Sequence, residues 1–181
     1  MENESGLPGY LTEHILAKGS ESLASGVNVD LILESLRFVL IPGVCNSFGV
    51  GLVDEKGQLL SPKWYGESRE SANCESTLIQ NNFKEFSESD RERFLKIKAP
   101  FLATKVDQQP PGKNELASTV LRLFKEVNLQ SLACIPIISR QRIIGFAFFL
   151  RHERGREFLI SDSLFLENVT LMIAAAIEND H

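Results

Sequence analysis

Residues 131–150 read SLACIPIISRQRIIGFAFFL. Two apolar runs, rich in β-branched and aromatic residues, flank the short polar step Ser139-Arg140-Gln141. Runs of this length on either side of a tight polar turn predict two antiparallel strands joined as a hairpin. The longest apolar run, IIGFAFFL at 143–150, is far short of the roughly 20 residues that a membrane-crossing helix needs.

Working outward, NELASTVLRLFKEVN (114–128) places Leu116, Val120, Leu123, Phe124 and Val127 at helical spacing on one side. On the other flank, FLISDSLFLENVTLMIAAAIEN (158–179) predicts a long helix from Ser161, with Ser161 as N-cap and Asp162 near the positive helix end. It is apolar on too much of its circumference to bury a single stripe. Further upstream, SFGVGLVDEKGQLLSPKWYG (47–66) reads as a second hairpin. Phe48, Val50 and Leu52 alternate with Ser47, Gly49 and Gly51, and DEKGQ supplies the turn before a strand over LLSPKWY. The glycines predict that something packs very close to their face. Asn28 is a good N-cap for a helix over 29–41, in which Val29, Ile32, Leu33, Leu36, Val39 and Leu40 follow the 3.6-residue period. A further amphipathic helix is predicted over 10–24, ended by Gly26.

Residues 67–113 are mostly polar, with helical signals around 71–80 and 88–98 and a short strand at 101–106. Within 84–98 five Lys/Arg face four Asp/Glu, which reads as a solvated helix surface. Hairpins flanked by helices imply an α+β domain built on an antiparallel sheet. The chain of 181 residues is one domain, 28–181, preceded by an extension over 1–27. A net charge of −5 argues against nucleic acid or an anionic membrane as partner. Three scattered cysteines and an acidic start without an apolar segment predict a reducing, cytoplasmic setting.

The stretches NVDLILESLRFVLIPGVCNSFGVGLVDEKGQLL, SLACIPIISRQRIIGFAFFL and FLISDSLFLENVTLMIAAAIEN together resemble a GAF domain. The combination of APFLATKV, the strand-turn-strand segment and the closing helix looks most like GAF domains of bacterial sensor histidine kinases. The resemblance covers about 28–65 and 100–179, and it is a pattern of many weak positions. It implies an antiparallel sheet of about six strands, with N- and C-terminal helices on one face and a small-molecule pocket on the other. It also implies a sensory role in a two-component system, a homodimer formed through the terminal helices, and an output kinase or other effector domain outside this chain. On this view Leu164, Leu171 and Ala175 cover the sheet, while Phe165, Met172 and Ile173 meet a partner helix. The alternative is a closing helix wholly buried in a monomer.

A pocket above the sheet would draw on Phe48, Val50, Trp64, Tyr65, Cys74, Phe101, Leu121, Cys134, Phe146 and Phe148. Each is equally at home in an ordinary core. No ligand or cofactor is named by the sequence. His14, His152 and His181 have no Cys, His, Asp or Glu at metal-ligand spacing, and no CxxC, GxSxG, HExxH or phosphate loop occurs. The family's covalent bilin attachment is disfavoured, because 114–128 holds no Cys or His. The cyclic-nucleotide signature is represented only by Phe158 and Asp162, which read as a hydrophobic staple and a helix cap. The family's free methionine sulfoxide reductases use several cysteines around the pocket, so Cys74 and Cys134 keep a reductase as the weaker alternative. A ligand-free dimerisation module is the other. RHERGR (151–156) reads as a solvated loop.

Overall fold

A computed structural model describes residues 28–105, 115–152 and 157–180, together with the isolated helical positions 13 and 17. The rest of the helix expected over 10–24 lies outside the described residues. The elements run α1 (Val29–Leu40), β1 (Ser47–Leu52), β2 (Lys63–Gly66), α2 (Arg69–Lys84), α3 (Glu88–Leu95), β3 (Phe101–Thr104), α4 (Glu115–Leu123), β4 (Ser131–Ser139), β5 (Arg142–Arg151) and α5 (Ile160–Asn179). The strands form one antiparallel sheet in the order β2-β1-β5-β4-β3. The sheet has five strands among the described residues, where six were expected.

The β4–β5 hairpin is the centre of this sheet. It pairs from Ser131↔Arg151 to Ser139↔Arg142, with a register shift between Ile137 and Ile138. Arg140 and Gln141 close it with φ of 48° and 65°, the left-handed pair that a two-residue hairpin turn requires. Because alternate strand residues face opposite ways, the same strands build two cores. Ala133, Ile135, Ile137, Ala147 and Phe149 face one side, where they pack with α1, α5, Phe48 and Val50. Leu132, Cys134, Phe146, Phe148 and Leu150 face the other, beneath Ile79 and Phe83 of α2, Phe94 of α3 and Val120 and Leu123 of α4.

Helix α1 starts where predicted: Asn28 Oδ1 accepts from the Asp30 N–H at 2.7 Å, and Ile32, Leu33, Leu36 and Leu40 are buried. The polar segment 67–98 holds two helices whose signal lies in their caps. Ser68 Oγ accepts from the Ser71 N–H, while Ser87 and Asp90 cap each other's backbone reciprocally. The cap position of helix α5 lies two residues earlier than expected, at Leu159 rather than Ser161. Leucine cannot cap, so Asp162 supplies the acceptor: its carboxylate takes the Leu159 N–H at 2.8 Å. Buried Asp162 also lies 3.7 Å from the Arg151 guanidinium, which donates to the carbonyls of Val44 and Glu157 and stacks over Phe158 at 4.1 Å. Arg151 is thus a buried junction between sheet and final helix, not part of a solvated loop. Residues 153–156 of that expected loop lie outside the described residues.

The faces assigned to α5 are reversed. Phe165, Met172 and Ile173 are buried against the sheet and α1, whereas Leu164 and Leu171 are 69% and 62% exposed and Ala175 is half-buried. The reason is the neighbour: α1 lies alongside α5 in the same core, so a wide arc of α5 is covered and a narrow stripe remains outside. This 20-residue helix is long and apolar enough to cross a membrane by length and composition, but the same properties suit a helix wedged between a sheet and α1.

The β1–β2 hairpin is shorter than predicted. Its outer strand is reduced to a Val53↔Leu59 bridge and to Lys63–Gly66, on either side of Pro62, which has no N–H to give the ladder. Gly57 turns the chain at φ 73°. The predicted close approach at the β1 glycines is made by Trp64: a Cβ on Gly49 would stand 1.8 Å from its ring.

Candidate functional site

The ten expected pocket residues do not converge. Phe48, Val50 and Tyr65 lie on the α1/α5 face, with Tyr65 stacked on Phe48 at 5.1 Å. Trp64, Phe101, Leu121, Cys134, Phe146 and Phe148 lie on the opposite face. One pocket cannot use both sets, because the sheet stands between them. On the second face, where the resemblance places a ligand, the space is filled by the protein's own rings. Phe94 sits 4.3 Å from Phe146 and 6.4 Å from Phe148, Phe124 packs edge-on at 5.4 Å and Trp64 stacks on Phe148 at 5.9 Å. Phe83, Phe94, Phe146 and Phe148 are fully buried. The ligand assignment for Phe146, Phe148 and Cys134 therefore gives way to packing. Val50 lines a small recess of about 250 Å³ with Val29, Leu33 and Ile177.

Two openings border this packed interior. The first is a cleft of about 320 Å³ between the start of β1, the end of β5 and α2, lined by Ser47, Glu67, Cys74, Glu75, Asn128 and His152 among others. At its back, Glu75 is buried and bridges two elements. One carboxylate oxygen takes the indole N–H of Trp64 at 2.5 Å, and the other lies 2.9 Å from His152 Nε2. His152 Nδ1 faces the Asn128 carbonyl. Both ring nitrogens thus meet acceptors, which only the imidazolium satisfies with two donors. The hydrogen bond to Glu75 holds the His152 pKa above its ordinary value against the opposing effect of burial. The mouth is organised by Asn46, which takes the His152 N–H and donates to Glu67 at 2.8 Å. Sequence reasoning missed this arrangement, since Glu75 and His152 come from distant elements and share no spacing. The available signals were a histidine at a strand end and a glutamate on the buried side of a polar helix.

The second opening is a groove of about 530 Å³ along β2, between α1 and the start of α2. Trp64 and Tyr65 form its floor, with Glu34, Arg37, Lys63, Ser68, Arg69 and Asn73 around them. Burial raises the Tyr65 pKa, aided by the negative charges of Asp30 and Glu34.

The three thiols are apart: Cys45 is buried on the α1/α5 face, Cys134 on the opposite face, and Cys74 is exposed on α2. Full burial pushes the Cys134 thiol far up, so it stays protonated. Among the described residues, no three His, Cys, Asp or Glu side chains are placed to hold a metal ion. Phe158 is buried and Asp162 caps α5, so both expected signature positions have structural work.

No protein-family model matches the sequence, and no curated protein matches it. Solved structures do resemble the fold. The free methionine-R-sulfoxide reductase from Neisseria meningitidis, determined with its substrate, superposes with a TM-score of 0.64 at 14% identity, covering 99% of this chain and 96% of that one. The GAF domain of a phosphoenolpyruvate-protein phosphotransferase from Coxiella burnetii gives 0.58 at 13% identity over 95% of both chains. A domain assigned to a two-component sensor histidine kinase protein from Sinorhizobium meliloti gives 0.52 at 16% identity, covering 82% of this chain and 90% of that one. The fold is that of GAF domains.

Proposed function

We propose that this GAF-fold chain is a non-catalytic regulatory domain of a signalling protein that pairs with a second copy through α1 and α5 and passes changes in that pairing to an output domain. The observation that carries the reading is the outer surface of the two helices. On α5, Ile160, Leu164, Asn168, Leu171 and Ala175 recur at spacings of three and four, and Ile160, Leu164 and Leu171 are exposed. On α1, Leu31 and Phe38 stand seven residues apart and are 61% and 74% exposed. Neighbouring helices with apolar seams at this spacing suit a bundle with the same helices of a second chain. The kinase-linked and phosphotransferase-linked relatives of the fold support a signalling context.

The filled aromatic face argues for an input other than a small molecule held between the sheet and α2–α4. Regulation then works as a population shift, in which a bound partner favours one packing of α1 and α5 over another. The reductase reading loses support, because a dithiol cycle needs two thiols that can meet, and Cys45, Cys74 and Cys134 occupy three separate environments.

Native mass spectrometry and light scattering test the pairing. Wild type should be a dimer at micromolar concentration, and Leu171→Lys a monomer with an unchanged circular dichroism spectrum. A wild type that stays monomeric at high concentration overturns the reading.

A further inference from the structure

The groove along β2 has a feature that the helix seam does not: its floor is an open sheet edge. Among the described residues, strand β2 is terminal in the order β2-β1-β5-β4-β3 and pairs with β1 alone. Among the described residues its outer backbone groups therefore have no strand partner, the configuration that accepts an added strand. Natural edges are usually short or covered; this one is short but lies at the bottom of a cavity of about 530 Å³ walled by α1 and α2. An added strand would lie against Lys63–Gly66, matching it residue for residue, and would point alternate side chains toward the two walls.

The walls and rim set the chemistry. In a chain of net charge −5, this groove gathers Arg37, Lys63 and Arg69 against two carboxylates, Glu34 and the Asp30 that pairs with Lys63. Arg37 bridges Glu34 at 3.0 Å and Lys63 bridges Asp30, so both cations are held over the groove by α1. Arg69 is exposed and has no ion pair among the described residues. It also occupies the first position of α2, where a cation opposes the helix dipole, so an arriving carboxylate would relieve a local repulsion.

We propose that the β2 groove binds an extended acidic segment of a partner protein by strand addition, with main-chain hydrogen bonds to Lys63–Gly66 and carboxylates at Arg69, Arg37 and Lys63. This goes beyond the helix-pairing reading and does not depend on it, since the groove belongs wholly to one chain.

The test uses an acetylated peptide of four Glu-Val repeats, a Lys-Val peptide of equal length, and a Glu-Val peptide N-methylated at alternate backbone nitrogens. Binding is followed by amide chemical shifts in the wild type and in the monomeric Leu171→Lys variant. The Glu-Val peptide should bind saturably, shifting the amides of 63–69. Its affinity should fall about tenfold in Arg69→Glu and weaken further with salt. The Lys-Val and N-methylated peptides should not bind. Arg69→Glu places an acid at a helix start, so its fold should be retained. Four results overturn the proposal: no saturable binding, equal binding of the Lys-Val peptide, indifference to N-methylation, or shifts centred on the α1/α5 seam or on the extension over 1–27. None of them bears on whether the wild type is a dimer.

Discussion

The two faces of the sheet are built from the same strands by opposite rules. The α1/α5 face is mainly aliphatic, with Ile, Leu, Val and Ala on two helices meeting Ala133, Ile135, Ile137 and Ala147. The α2–α4 face is aromatic, with Phe83, Phe86, Phe94, Phe124, Phe146 and Phe148 in mutual contact beneath more polar helices. Helices α1 and α5 are held mainly by the apolar surface they bury. Helices α2–α4 are held by the caps of α2 and α3, by a few large rings that each cover much surface, and by polar ties such as Asp90 to Arg122 and Asn82 to the Leu123 carbonyl. Arg122, beside Asp90, holds that carboxyl below its ordinary pKa, an effect first among hydrogen bonds that outweigh burial.

Phe94→Ala attacks the aromatic filling most directly. Phe94 touches four other phenylalanine rings and is fully buried, so its loss should cost about 3–5 kcal/mol, read from urea unfolding. Hydrogen exchange sharpens the comparison: protection should fall across α2–α4 while α1 and α5 keep theirs. A cavity opened there should take up indole and recover part of the stability. If protection falls equally on both faces, they are one cooperative unit and the contrast between them fails.

The same contrast explains what the sequence disclosed. The β4–β5 hairpin, α1 and the existence of α5 were legible because periodicity and turn chemistry are local. The outward face of α5 was not, because residues apolar around most of a helix do not say which neighbour will cover them, and α1 covered Phe165, Met172 and Ile173. The pocket list failed by parity: Phe48 and Val50 share a face with each other but not with Trp64 or Phe148. The residues themselves read as five strands and only the resemblance implied a sixth, while Pro62 shortened β2, an effect that the alternating pattern around it concealed. Glu75 and His152 could not be linked at all, since only the packed fold brings α2 to the end of β5.

That link makes the aromatic face sensitive to pH near neutrality. The His152 pKa is raised in the folded chain, so the tie to Glu75 contributes its full stability below the unfolded value of about 6.5 and loses it as pH rises through the raised folded value. The imidazole is partly exposed, which screens the pair and limits the effect to about 1 kcal/mol. Wild type should thus lose more stability than His152→Gln between mildly acidic and mildly alkaline pH, and Trp64 emission should change with it, because Glu75 also holds the indole N–H. A His152→Gln variant with the same pH slope as wild type would remove His152 as the source.

The smallest effect tests what the faces share. Arg140 and Gln141 both adopt positive φ in the turn between β4 and β5, a conformation that costs a residue with a Cβ about 1 kcal/mol and costs glycine little. Replacing the pair by Asn-Gly, the sequence best suited to this turn, should stabilise the protein by about 1 kcal/mol without touching either core. Because β4 and β5 carry both faces, exchange protection should rise on α1 and α5 as well as on α2–α4. A gain confined to one side would mean that the hairpin serves that core alone, and the two faces would then differ in their dependence on the sheet as well as in their filling.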